Sequence, residues 1–178
     1  MRNERGFTLV ELLVVIIIVA VLLAISVVLY RGARVRGGES AAIATLDAIN
    51  QAQFAFMQTC GNQRYAPTLA SLGTPTPRGG SPYLSPDMTT GETVVKGGYS
   101  FQMSGTPVTD DSRTCTDATP VTGYQVTADP TVPGLTGSRY FGTNTERVIY
   151  EGAETFLGTM PESGPPERGS EIQAVRAR

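Results

Sequence analysis

The side chain most in need of a partner lies close to the start of the chain. Glu11 follows Gly6, Phe7, Thr8, Leu9 and Val10, inside an apolar run from Phe7 to Tyr30 that only Thr8, Glu11 and Ser26 interrupt. A lone carboxylate in hydrocarbon costs about 3 kcal/mol or more, so an ionisable group there marks a functional position. Gly6, just ahead of the run, presents backbone without a side chain. Glu11, near the start of the run, lies at the end of the helix dipole that favours an anion.

Elsewhere the means for catalysis are sparse. The chain has no histidine, which excludes Ser-His-Asp and Cys-His nucleophile systems and His-based zinc sites, and Lys96 is its only lysine. No enzyme activity is expected. A net charge of −2, about −3 without Met1 to Gly6, lacks the basic footprint of a dedicated nucleic-acid binder, and no specific nucleic acid partner is expected.

The element that must position Glu11 is one long helix. At 1.5 Å per residue, Phe7 to Tyr30 spans about 36 Å, enough to cross a bilayer core of about 30 Å. The run is too long for a signal peptide, and Leu29-Tyr30-Arg31 offers no A-x-A-like cleavage site. Arg2 and Arg5 precede it; Arg31, Arg34 and Arg36 follow. A plain count of these flanks mildly opposes an N-terminus in the cytoplasm. The three later arginines suit headgroup anchoring by snorkelling and, equally, contact with acidic surfaces of neighbouring subunits.

Gly6-Phe7-Thr8-Leu9-Val10-Glu11-Leu12, followed by the long apolar run, resembles the processing motif of type IV prepilins and type II secretion pseudopilins. The resemblance implies a cytoplasmic leader, Met1 to Gly6, cut after Gly6 by a prepilin peptidase that then methylates the new amine of Phe7. It makes Glu11 the acidic residue that sets subunit register. The implied cut frees an α-amine at Phe7 with an ordinary pKa near 8, about one helical turn from Glu11 in its own chain. That amine is able to neutralise the Glu11 of another subunit, which removes two charges from an apolar interior. It also implies a single-pass inner-membrane protein of a bacterium, then a filament crossing the periplasm or reaching the cell surface. The implied partners are identical or homologous pilin subunits, the prepilin peptidase/methyltransferase and an inner-membrane assembly platform. The implied fold is α+β and pilin-like: a long N-terminal helix, its first half transmembrane, packed on an antiparallel sheet of about four strands. Many type IV pilins carry a proline in the membrane-spanning part of this helix, whereas no proline precedes Pro67 here. Gly32, Gly37 and Gly38 then become the expected soft point, since each costs up to about 1 kcal/mol in a helix.

On this outline residues 1–6 are leader, 7–30 the membrane and filament-core half of the helix, 31–60 its second half, 61–157 a globular head and 158–178 a flexible tail. Ala42, Leu46, Ile49, Phe56 and Cys60 share one helical face, with Gln53 the misfit on that stripe and Ile43 and Phe54 well around from it. Gly61 suits a helix C-cap and Tyr65-Ala66-Pro67 an extended segment. Residues 73–98 read as a long surface loop tacked down by Tyr83 and Leu84. Alternation predicts strands at Tyr99 to Ser104 and Tyr124 to Ala128, and a hairpin of Arg139 to Thr143 with Arg147 to Tyr150. Asp129-Pro130 reads as part of a turn.

Two cysteines, Cys60 and Cys115, in a chain delivered outside the cytoplasm point to a disulfide, with two reduced buried thiols as the alternative. Asp110, Asp111 and Asp117 bear on calcium, which some pseudopilins bind in the head, but their spacing matches no known calcium loop. No cofactor is expected. The function expected is that of a structural subunit of a type IV pilus-like filament. The alternatives are a minor pilin or pseudopilin of a secretion or DNA-uptake machine, and a membrane-tethered binding module that never polymerises.

Overall fold

The computed structural model of the chain describes residues 7–75 and 79–172, and the side chains of all of these except residues 27 and 28. The expected leader, Met1 to Gly6, and the last residues of the tail, 173–178, lie outside them.

One helix, α1 (Leu9–Thr59), dominates the architecture. Thr8 starts it, its hydroxyl accepting the Glu11 N–H at 3.2 Å. It runs unbroken through Gly32, Gly37 and Gly38. Its C-cap is Cys60 and not Gly61, and the left-handed turn that follows is taken by Asn62 and Gln63. Gly61 is needed for space, because a Cβ there would collide with the Arg64 carbonyl.

The second half of α1 packs through the expected stripe, with Ala42, Leu46, Ile49, Phe56 and Cys60 all buried. Gln53 is buried too, and its fit comes from backbone pairing. Its side-chain amide accepts the Ala66 N–H at 2.9 Å and donates to the Ala66 carbonyl at 3.0 Å. One turn earlier, buried Asn50 donates to Thr143 at 2.9 Å and accepts the Tyr124 hydroxyl at 2.9 Å. Burial pushes the Tyr124 hydroxyl above its ordinary pKa, so it remains a neutral donor. Phe54 stays on the outer face beneath the Arg147 guanidinium, 4.5 Å from its ring centre. Ile43 is half-buried against the core.

Facing α1 is a six-stranded antiparallel sheet in sequential order: β1 (Thr93–Lys96), β2 (Tyr99–Ser104), β3 (Gln125–Pro130), β4 (Tyr140–Asn144), β5 (Ile149–Gly152) and β6 (Ser170–Glu171). Val94, Tyr99, Phe101, Val126, Ala128 and Phe141 form the sheet's share of the core. The four expected strands become six for two local reasons. β1 lies within the segment read as a loop; Gly97 and Gly98, both at positive φ, close a two-residue hairpin that sets Lys96 opposite Tyr99. The rest of that segment is tacked down by Leu84 and Met88, both buried, and by Tyr83, edge-on to Phe56. β6 lies within the expected flexible tail, and that expectation is corrected as far as residue 172. Met160 and Phe156 pack on Tyr150, the Asn144 amide donates to the Pro161 and Gly164 carbonyls, and Ile172 N–H reaches Ile149 O at 2.8 Å. Few apolar side chains suffice because backbone pairing and a buried amide hold the segment. Asp129 and Pro130, read as a turn, instead complete β3, with proline's missing N–H at the strand end.

Two contacts seat the head on the helix where it leaves the apolar run. At Gly38 the helix backbone touches the loop after β3 so closely that a Cβ would strike the Thr136 carbonyl. Beside it, the Glu39 carboxylate, only 5% exposed, accepts the Ser138 N–H and hydroxyl at 3.0 and 2.8 Å and pairs with Arg139 at 2.8 Å. Arg139 also pairs with Glu151. Burial alone pushes the Glu39 carboxyl up, but Ser138 and the Arg139 guanidinium together outweigh it and hold the pKa below its ordinary value.

Two predictions follow from these seats. Gly38→Ala forces the loop away and lowers the melting temperature of the detergent-solubilised chain. Gly32→Ala meets no atom within 4 Å among the described residues and raises it, with up to about 1 kcal/mol gained in helix propensity. Because the folded Glu39 pKa is depressed, its contribution is complete above the ordinary glutamate range near 4 and is lost as pH falls through the lowered value. Glu39→Gln should therefore cost about 2 kcal/mol at pH 7. Acid titration of the melting temperature should show a shallower fall below about pH 4 in the variant than in the parent chain.

Candidate functional site

The N-terminal turn of α1 is built from Phe7, Thr8 and Glu11. Phe7 precedes the helix and is 78% exposed. In the unprocessed chain its nitrogen is still an amide, and Gly6, the residue before the expected cut, lies outside the described residues. Thr8 and Glu11 are brought together by the Thr8 cap, which uses the backbone of Glu11 and leaves its carboxylate free. Among the described residues, that carboxylate, exposed on the helix surface, takes part in no ion pair. The role of Thr8 was missed at the level of sequence, although Thr-x-x-Glu ahead of an apolar run is a recognisable helix-start signature.

Beyond Glu11 the helix is apolar on every side. Leu9, Val10, Leu12 to Val19, Val21 to Leu23, Ile25 and Leu29 all lie exposed, and none of the most apolar stretch is buried against the head. A soluble helix buries one stripe and wets the other; one that is apolar all round belongs in a membrane or inside a bundle of helices. By length and composition α1 is able to cross a membrane, and an apolar N-terminal helix of this kind suits membrane anchoring. Past Glu11 the apolar run is broken by Ser26, whose hydroxyl donates to the Leu22 carbonyl at 2.8 Å. What this arrangement offers chemically is a very large apolar surface with one carboxyl group at its end.

The other expected pair, Cys60 and Cys115, is joined in a disulfide with 4.8 Å between Cα atoms. It ties the C-terminal end of α1 to the turn before β3, and Cys115 N–H donates to Cys60 O at 2.8 Å. Closing a separation of 55 residues, the link stabilises by about 4 kcal/mol in the chain-entropy account. Two of the three aspartates considered for calcium, Asp110 and Asp117, take part in local turns. Asp110 accepts the Ser112 N–H and lies 3.9 Å from Arg64, and those contacts hold its carboxyl below the ordinary value, with the Ser112 bonds the larger cause. Asp117 sits at positive φ in the tight turn closed by its N–H to the Thr114 carbonyl.

The first 27 residues match the family model described as the prokaryotic N-terminal methylation motif, the prepilin signature of type IV pilins and pseudopilins. That match covers the site and most of the apolar run. Neither the curated proteins nor the solved structures contain a match to the chain. The motif supports a pilin-like or pseudopilin protein and implies processing by a prepilin peptidase.

Glu11→Val should leave cleavage after Gly6 unchanged, since the helix cap uses only the Glu11 backbone, and should sharply reduce assembly. Mass spectrometry of the membrane-bound chain reads the first effect, and the yield of sheared filaments reads the second. Filaments at the parent yield would refute a role for the carboxylate.

Proposed function

We propose that the chain is a structural, non-enzymatic subunit of a type IV pilus-like filament. It waits in the bacterial inner membrane with its leader in the cytoplasm, loses Met1 to Gly6 to the prepilin peptidase, and is N-methylated at Phe7. An assembly platform then draws α1 out of lipid and into a bundle of identical or homologous helices, while the heads form the outside of a filament that spans the periplasm or extends from the cell. The observation that carries this is the first half of α1: apolar on all sides, with none of its most apolar stretch buried, and headed by the methylation motif. Such a surface is tolerated in lipid and in a helix bundle, and its transfer between the two loses no apolar burial.

Charge supplies the direction. The methylated Phe7 amine stays positive, and Glu11 of a subunit already in the bundle is the counter-charge it would meet. Pairing neutralises both in a medium where either alone is costly, and it fixes how far the new helix slides along its neighbour.

The test is to shear filaments from cells expressing the chain and to sequence the amino terminus of their subunits. The expected result is this chain as an abundant component beginning with N-methylated Phe7. A trace amount in filaments built of another subunit would make it a minor component, and a chain that is never found outside the membrane fraction would overturn polymerisation.

A further inference from the structure

The loop between β3 and β4, residues 131–139, reaches back along α1 toward the apolar run. It is internally braced. Thr131 N–H donates to Gly98 O at 2.9 Å, Gly134 N–H to Gly137 O at 2.7 Å, and Leu135 and Thr136 N–H both to Val132 O at 3.0 Å. Thr136 is pinned against the helix backbone at Gly38. Yet the tip displays two large apolar side chains to solvent, Val132 at 48% and Leu135 at 43% exposure. Leu135 is not isolated, because it lines an open cleft of about 510 Å³ together with Leu23, Ser26, Tyr30, Arg31 and Arg34. Three of those five helical residues belong to the apolar run itself.

The depth of that cleft follows from helix geometry. The run from Phe7 to Tyr30 is about 36 Å long against a hydrocarbon core of about 30 Å. With the charged Phe7 end at the inner boundary, the outer boundary falls about twenty residues on, just past Ser26. Leu23 then lies about 5 Å inside the hydrocarbon and Tyr30 about 5 Å outside it, at the level of the headgroups. A side chain that shares a cleft with both must sit at the boundary. Arg31 and Arg34 line the same cleft at the depth of lipid phosphates, where snorkelling places cationic ends.

We propose that the β3–β4 loop is a second membrane contact: Val132 and Leu135 enter the interface of the outer leaflet, and the cleft between Leu135 and α1 is filled by phospholipid, acyl chain against Leu23 and phosphate at Arg31 and Arg34. The occupant is lipid because the cleft is continuous with the membrane-spanning surface and grades from apolar to cationic in the order that a leaflet does. The head would therefore rest on the membrane at a fixed tilt instead of swinging from a tether. This rests on the membrane-anchored reading of α1 given above.

The test uses the full chain in phospholipid vesicles with one added cysteine carrying an environment-sensitive fluorophore, Cys60 and Cys115 being already consumed by their disulfide. Labels enter at Leu135→Cys and Val132→Cys on the loop, and at Ile18→Cys and Tyr30→Cys on the helix. Ser104→Cys, at the opposite end of β2 from the loop, serves as the aqueous reference. Lipids with a nitroxide near the headgroup should quench the two loop labels to the extent seen at Tyr30→Cys and leave Ser104→Cys unquenched. Loop labels matching Ser104→Cys, while Ile18→Cys is quenched by a nitroxide deep in the acyl chains, would overturn the proposal and leave the anchor intact. An Ile18→Cys label quenched by neither lipid would overturn the anchor and the proposal together.

Discussion

A helix that is apolar on every face has to be kept out of water in every state the chain occupies, and the rest of the molecule is arranged around that requirement. The first half of α1 gains nothing from its own head, since no part of its most apolar stretch is buried there. Its stability against water has to come from lipid or from other helices. Glu11 makes the requirement specific. In a uniformly apolar cylinder, neighbours are free to slide and rotate; in the proposed pairing, a single carboxylate facing a cation removes that freedom. Cleavage after Gly6 would create that cation at Phe7.

The head has the complementary task of staying attached to a helix that is half outside it. Gly38 allows backbone contact at the junction, and the Glu39–Arg139 pair locks the helix to the start of β4. Farther along, Asn50 and Gln53 put polar side chains where the stripe would otherwise be apolar, and each is satisfied by a partner from the head. Apolar packing alone tolerates small slips of a helix over a sheet, whereas a buried amide with two matched bonds does not. The disulfide at Cys60 then holds the last turn. Together these contacts hold the second half of α1 against the head.

The long helix, its buried stripe and the hairpin of β4 and β5 were legible because each depends on local periodicity and turn chemistry. So was the N-terminal methylation motif, which is contiguous in sequence. What was hidden depends on contacts between distant segments. Gly38 read as a weak point in the helix, because its value lies in the approach of Thr136, nearly a hundred residues away. Glu39 gave no sign of being buried, since its partners Ser138 and Arg139 are as remote. The tail read as free from its composition, and it is the pairing of Ile172 with Ile149 and the Asn144 amide that bind it. The Thr8 cap and β1 were missed although each carried a local signal, Thr-x-x-Glu ahead of the apolar run and Gly97-Gly98 as a hairpin turn.

The central claim is that Glu11 of one subunit receives the Phe7 amine of the next. Filament length in cells that express the parent chain together with increasing amounts of Glu11→Val measures it most directly. A Glu11→Val subunit still has its own amine and should add to a growing filament, but it offers no counter-charge to its successor. The account predicts that the variant is found within sheared filaments and that their mean length falls as its share rises. Filaments of unchanged length from which the variant is absent would place the pairing within a single subunit and contradict the account.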